Sequence, residues 1–148
     1  MFGYEVKLDP PAAEVDRVMQ TIVQSYASDH KPLEWAIFMT DPATGEQNGG
    51  GATGYAVYDW AYIQFFAVPA ELRGQGLGRE LMDRVEAFAR DRGLIGLFLD
   101  TFEFQARGFY EKLGFTLFGT IEDHPRGQHR YFLQKRLDQS STHPDETK

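Results

Sequence analysis

Apolar residues along the chain keep two rhythms. Val15, Val18, Met19, Ile22, Val23 and Tyr26 recur at helical spacing, which predicts a helix over "DPPAAEVDRVMQTIVQSYAS" with Asp9 as N-cap and proline in the first turn. "SDHKP" ends it. Leu77, Leu81, Met82, Val85, Phe88 and Ala89 form a second helical stripe, closed by Gly93 as C-terminal cap. "FQARGFYEKLG" reads as a short third helix ending at Gly114.

Elsewhere the pattern is that of strands. Residues 4–8 alternate weakly and predict a short one. "LEWAIFMTD" and "ATGYAVYDW" predict a hairpin, joined by "DPATGEQNGGG" as a flexible turn. "AYIQFFAV" is apolar on both faces, which places it in the middle of a sheet. "LIGLFLDT" follows the second helix, so these two strands should run parallel as a βαβ unit. "FTLFGTI" and "HRYFLQKRL" close the pattern around the polar loop "EDHPRGQ". The expectation is an α+β fold with a mixed, mostly antiparallel sheet flanked by helices. Neither repeat nor linker breaks it, so residues 1–137 read as one domain. The polar stretch "DQSSTHPDETK", 138–148, reads as a disordered tail.

Composition narrows the function. The chain has 148 residues, 42% of them hydrophobic, enough for a core at this length. It has no cysteine, which excludes disulfides, thiolate catalysis and cysteine–zinc sites. Net charge is -7 with scattered basic residues, which argues against nucleic acid as a partner and leans toward cationic partners such as amines. No run is long and apolar enough for a membrane helix, and the start lacks a signal-peptide pattern, so a cytoplasmic protein is expected.

The segment "VPAELRGQGLGRELMDRVEAFAR" concentrates the candidate chemistry. Gly74, Gly76 and Gly78 stand where a helix is about to begin, although glycine is a poor helix former. One reading is a tight strand-to-helix turn. The other is a phosphate site, because a helix start exposes N–H groups and positive dipole, and glycine lets an anion approach the backbone. Arg73 and Arg79 add positive charge. A P-loop would require Gly-Lys-Ser/Thr, which "GLGRELM" lacks, and "GQGLGR" puts arginine where a Rossmann fingerprint has its third glycine.

A third pattern fits. Arg73-Gly74-Gln75-Gly76-Leu77-Gly78 resembles the R/Q-x-x-G-x-G/A signature of the GNAT superfamily of acyl-CoA-dependent N-acetyltransferases. "FFAVPAELRGQGLGRELM" is similar to that superfamily's fourth strand, pyrophosphate loop and third helix, and "ARGFYEKLGF" to its late A-x-x-F-Y-x-K-x-G-F segment. The resemblance covers roughly residues 4–137. "LDTFEFQARGFYEKLGF" with "EDHPRGQHRYFL" further resembles a bacterial subgroup with poorly defined substrates.

That resemblance implies a central parallel pair splayed to bind acyl-CoA. The backbone of Phe66, Ala67 and Val68 would bond the pantetheine arm. The amides of Arg73, Gly74, Gln75, Gly76, Leu77, Gly78 and Arg79 would hold the pyrophosphate. Acetyl-CoA is the implied co-substrate, with no metal, and a homodimer is a fair expectation. Tyr110 matches the family's frequent general acid, and the Ala67 or Val68 amide would serve the oxyanion. Glu103 stands where many members carry asparagine; it is a candidate base or amine anchor, or else a solvated loop carboxylate. Asp100 is a second candidate base, a water chain a third route. His124 could line the acceptor site; a metal pair with His129 is disfavoured by spacing. The activity implied is direct transfer of acetyl from acetyl-CoA to a primary amine of a small molecule or protein. The competing expectation is a non-catalytic acyl-CoA-binding or protein-interaction module.

Overall fold

A computed structural model describes residues 1–26 and 32–139. They fall into two compact units, Met1–Pro32 and a larger one from Leu33 onward. Of the expected 138–148 tail, only Asp138 and Gln139 lie within the described residues, and most of "SDHKP" lies outside them.

The first unit holds helix α1, Ala12–Val23. It starts later than expected. Pro11, not Asp9, occupies the N-cap position, no side chain caps the helix, and neither proline lies inside it. Asp9 instead adopts a left-handed φ of 57°. Residues 4–8 form no strand. Within this unit Lys7 Nζ pairs with Glu14 Oε2 at 2.8 Å.

The second unit is a six-stranded mixed sheet with two helices. Its strands are β1 (Leu33–Thr40), β2 (Gln47–Val57), β3 (Trp60–Ala67), β4 (Gly96–Phe102), β5 (Thr116–Glu122) and β6 (His129–Arg136), in spatial order β1-β2-β3-β4-β6-β5. Helix α2 (Leu77–Asp91) links β3 to β4, and α3 (Arg107–Lys112) precedes β5. The βαβ expectation holds: β3 and β4 are the parallel pair, and every other pairing is antiparallel. The hairpin turn is shorter than expected. Asn48 to Gly51 already belong to β2, so the glycine run is strand, not flexible loop. Asp41 closes the actual turn by accepting hydrogen bonds at Oδ1 from the Ala43 and Thr44 amides.

One sheet face carries the core. Trp35, Ala52, Ala56, Ala61, Ile63, Leu97, Leu99 and Leu133 pack with Leu81, Met82, Val85 and Ala89 of α2 and with Tyr110 and Leu113. The α2 stripe read from the sequence is thus the buried one. It also buries Glu86, which meets Lys135 Nζ at 2.8 Å, and that ammonium donates onward to the Leu113 carbonyl at 2.7 Å. A carboxylate and an ammonium can leave water here because each satisfies the other.

Two features of β3 position the site. Opposite Thr53 and Gly54 the β2–β3 register jumps from Phe65 to Ile63, leaving Gln64 as a bulge. A bulge exchanges the faces of all that follows. Phe66 therefore joins Ile63 on the core face, while Phe65 points away and is 65% exposed. Gly54 permits the close approach: a Cβ there would collide with the Tyr62 carbonyl oxygen. Second, β3 and β4 pair only from Trp60↔Gly96 to Ile63↔Leu99. Beyond that point β3 stays on β2 as far as Ala67, and β4 stays on β6 as far as Phe102. The two arms separate, as the resemblance implies.

Candidate functional site

The parted arms form the walls of a cleft of about 1130 Å³. Of the residues singled out from the sequence, Phe66, Ala67, Val68, Arg73, Gly74, Gly76, Leu77, Gly78, Arg79 and Tyr110 all line it. Gln75 and Glu103 do not. Asp100, the second carboxylate considered, does.

At the glycine end the backbone takes two left-handed turns before α2 begins. Gly76 is the N-cap of α2 at φ 78°, ψ 10°, and Gly74 has φ 82°. Both are left-handed, where a Cβ is strained, and neither would meet an atom within 4 Å if given one. The first helical bond is Glu80 N–H to the Gly76 carbonyl at 3.2 Å. Among the described residues the amides of Leu77, Gly78 and Arg79 donate to no backbone carbonyl, and no side chain caps them. Gly78 has a different reason. A Cβ there would sit 2.8 Å from Phe109 Cζ, so this glycine lets α3 pack against α2. Arg73 is held back toward β3, its Nε donating to the Val68 carbonyl at 3.0 Å.

Tyr110 stands on the core side of the cleft, 8% exposed, with its ring edge-on to Phe66 at 5.8 Å. Burial, and after it the negative charge of Asp100, push its phenol up to about 12. It stays protonated across the physiological range.

The opposite sheet face supplies a polar group that the sequence did not reveal. Register puts Tyr62 beside Phe98, Asp100 beside Phe132, and Phe102 beside Arg130. Tyr62, Asp100 and Arg130 therefore share the face turned away from Ile63 and Leu99. The Tyr62 hydroxyl donates to Asp100 Oδ2 at 2.6 Å, and Arg130 donates to Oδ1 from Nε at 3.0 Å and Nη2 at 2.6 Å. Burial, then the bond to Asp100 and its charge, raise the Tyr62 phenol to about 12, while Arg130 works the other way. Among the described residues Asp100 is the one carboxylate lining the cleft. Tyr62 and Arg130 were missed because each sits in an ordinary strand pattern. Gln64, a polar residue interrupting "YIQFF", was the available signal.

Glu103 lies on the turn after β4. Its Oε1 accepts from the His129 amide at 2.8 Å and lies 3.0 Å from His129 Nδ1, with both side chains well exposed. The His124 ring stands edge-on to Phe102 at 5.2 Å. Among the described residues no three metal-ligating side chains converge, and no helix is long and apolar enough to cross a membrane.

Comparison with known proteins agrees with this geometry. Residues 7–115 match the Acetyltransferase (GNAT) family. A blasticidin-S acetyltransferase of Streptomyces morookaense is 40% identical over 110 residues, covering 72% of this chain and 79% of the relative. An acetyltransferase of Agrobacterium fabrum is 38% identical over 88 residues, covering 60% and 64%. Among solved structures, an acetyltransferase from Bacillus cereus aligns with TM-score 0.72 at 27% identity, over 90% of this chain and 98% of that one.

Proposed function

The chain belongs to the GNAT acetyltransferase family, and on that footing we propose that it transfers acetyl from acetyl-CoA to a primary amine by direct attack. The parting of β3 and β4 beyond Ile63 and Leu99 carries this reading. An extended amide-bearing arm laid between the strands would satisfy backbone groups of Phe66, Ala67 and Val68 as an added strand does. The α2 amides of Leu77, Gly78 and Arg79, with Arg79 and Arg73 nearby, suit a diphosphate. The Streptomyces relative is named for one compound, blasticidin-S, which favours a discrete small molecule as acceptor.

Acetyl-CoA supplies an activated thioester when bound. The amine attacks the carbonyl carbon as a free base, so its ammonium must first give up a proton. Attack would form the N–C bond; the adduct nitrogen would then give its remaining excess proton to water as the C–S bond breaks and the sulfur leaves as thiolate. Tyr110 Oη, which lines the same cleft, would donate a hydrogen bond to that sulfur. With its phenol at about 12 and a thiol near 8.5, full transfer from Tyr110 is uphill. The proton that finally neutralises the thiolate comes from solvent. Asp100 has both oxygens engaged by Tyr62 and Arg130, and Glu103 is tied to His129, so water in the cleft carries the ammonium proton away. The amide of Ala67 or Val68 is the donor for the oxyanion.

The test is thiol release from acetyl-CoA across a panel of primary amines. Amine-dependent release with a stoichiometric N-acetyl product supports the reading. Tight acetyl-CoA binding without release for any amine would indicate a binding module instead.

A further inference from the structure

Arg130 is held in a manner that fits a recognition residue. Its guanidinium carbon lies 5.2 Å from the Phe102 ring centre and 5.3 Å from that of Phe132. Nε and Nη2 are fixed by Asp100 Oδ1. Apart from Asp100 and an interaction with the Tyr62 hydroxyl, the guanidinium has no acceptor among the described residues, although the side chain is only 25% exposed and lines the cleft. Rings and carboxylate thus fix the plane of the fork, and one edge of it is left unpartnered. Such an edge is preorganised for two parallel bonds to a planar anion.

The position of that edge separates it from the diphosphate. Arg130 pairs with Phe102 on the face bearing Tyr62 and Asp100. The α2 helix and its open amides belong to the other face, where Leu97, Leu99 and Leu133 pack. A molecule meeting Arg130 therefore reaches the cleft from the side opposite the phosphate loop, as an acceptor would. Asp100 already neutralises much of the guanidinium charge, so a singly charged carboxylate suits the site better than a phosphate dianion, which Asp100 would repel.

We infer that the acceptor is an amine that also carries a carboxylate, and that Arg130 is the residue that binds that carboxylate. The inference rests on the acetyltransferase reading above. Tyr62 and Asp100 act through Arg130 as positioning residues.

Matched substrates provide the test: lysine against cadaverine, arginine against agmatine, and phenylalanine against phenethylamine, each scored by thiol release. At least one carboxylated member should exceed its decarboxylated partner in kcat/KM by about 10- to 100-fold, what one charge-assisted pair contributes. In Arg130→Gln that ratio should fall toward one. Arg130→Lys, which keeps the charge opposite Asp100 but not the fork, should retain only part of it. The ratio is internal to each preparation, so a loss of folded protein does not alter it. If no carboxylated amine outpaces its partner, whether because the partners win or because none reacts, the inference is overturned. It is equally overturned if Arg130→Gln leaves the ratio intact. Calorimetry with acetyl-CoA on the same wild-type sample separates the two failures: no heat removes the acetyltransferase reading, whereas heat without carboxylate preference removes only the role of Arg130.

Discussion

The Tyr62 hydroxyl bonds to Asp100 across two strands at the place where they stop pairing. Tyr62 lies one residue before the last paired position of β3, and Asp100 one residue after that of β4. A side-chain bond thus continues the link between the strands just where the backbone ladder ends. Tyr62→Phe keeps the ring against Phe98, 5.1 Å away, and removes this bond together with the hydroxyl's weaker interaction with Arg130. The expected loss is about 1–2 kcal/mol, since the acceptor is charged and the site partly buried. The urea midpoint at neutral pH checks it; an unchanged midpoint would mean that the bond contributes nothing at the root of the cleft.

Gly78 and Gly76 should respond differently to alanine. At Gly78 the new methyl meets the Phe109 ring, an overpacking cost of about 1–3 kcal/mol against a helix-propensity gain of about 1 kcal/mol. Gly78→Ala combined with Phe109→Leu should recover stability. At Gly76 there is space but a left-handed backbone, so the cost of about 1–2 kcal/mol is conformational and no change at Phe109 should relieve it. Thermal unfolding of the two single variants, each with and without Phe109→Leu, distinguishes the two causes.

Alkaline titration should single out Tyr62 and Tyr110 as late-ionising phenols, at about 12. Burial disfavours their phenolates, so the folded state holds these protons more tightly than the unfolded chain does. Below about pH 10 both states are protonated and the stabilising contribution is complete. From about pH 10 to 12 the unfolded chain loses protons that the folded protein retains, and stability falls as pH rises. Absorbance near 295 nm in Tyr110→Phe and Tyr62→Phe should lose amplitude from the last phase only. Loss from an earlier phase would place the phenol in water.

Tyr110→Phe should keep the fold, because the aromatic contacts with Phe66, Phe109 and Phe115 are ring contacts. If the hydroxyl serves the leaving sulfur, kcat falls by roughly 10²-fold, the lower end for a positioned donor, while KM for acetyl-CoA stays near wild type. A fall in binding with kcat preserved would assign the hydroxyl to the cofactor arm instead.

The sequence made the scaffold legible where one physical signal dominated. The α2 stripe, the parallel βαβ unit and the glycine turn each follow from spacing. Residues 4–8 lacked a second signal to support weak alternation, and no strand forms there. The run Asn48 to Gly51 looked like loop because glycine is rare in strands, yet Gly51 lies where a side chain would strike the Ile37 carbonyl, so its absence permits the pairing. The Gln64 bulge, and with it the choice of Phe66 over Phe65 for the core face, depends on register between strands that local pattern does not encode. The same is true of Tyr62, Asp100 and Arg130, which lie up to 68 residues apart in the chain and meet only because β6 inserts between β4 and β5.

The central claim is that the open amides at the start of α2 receive the diphosphate of coenzyme A. Amide NMR of the ¹⁵N-labelled protein, titrated with coenzyme A, reads those groups directly. The expected result is that the Leu77, Gly78 and Arg79 signals shift together and saturate with the ligand, along with those of Phe66, Ala67 and Val68. Stationary signals at Leu77, Gly78 and Arg79 under saturating coenzyme A would contradict it.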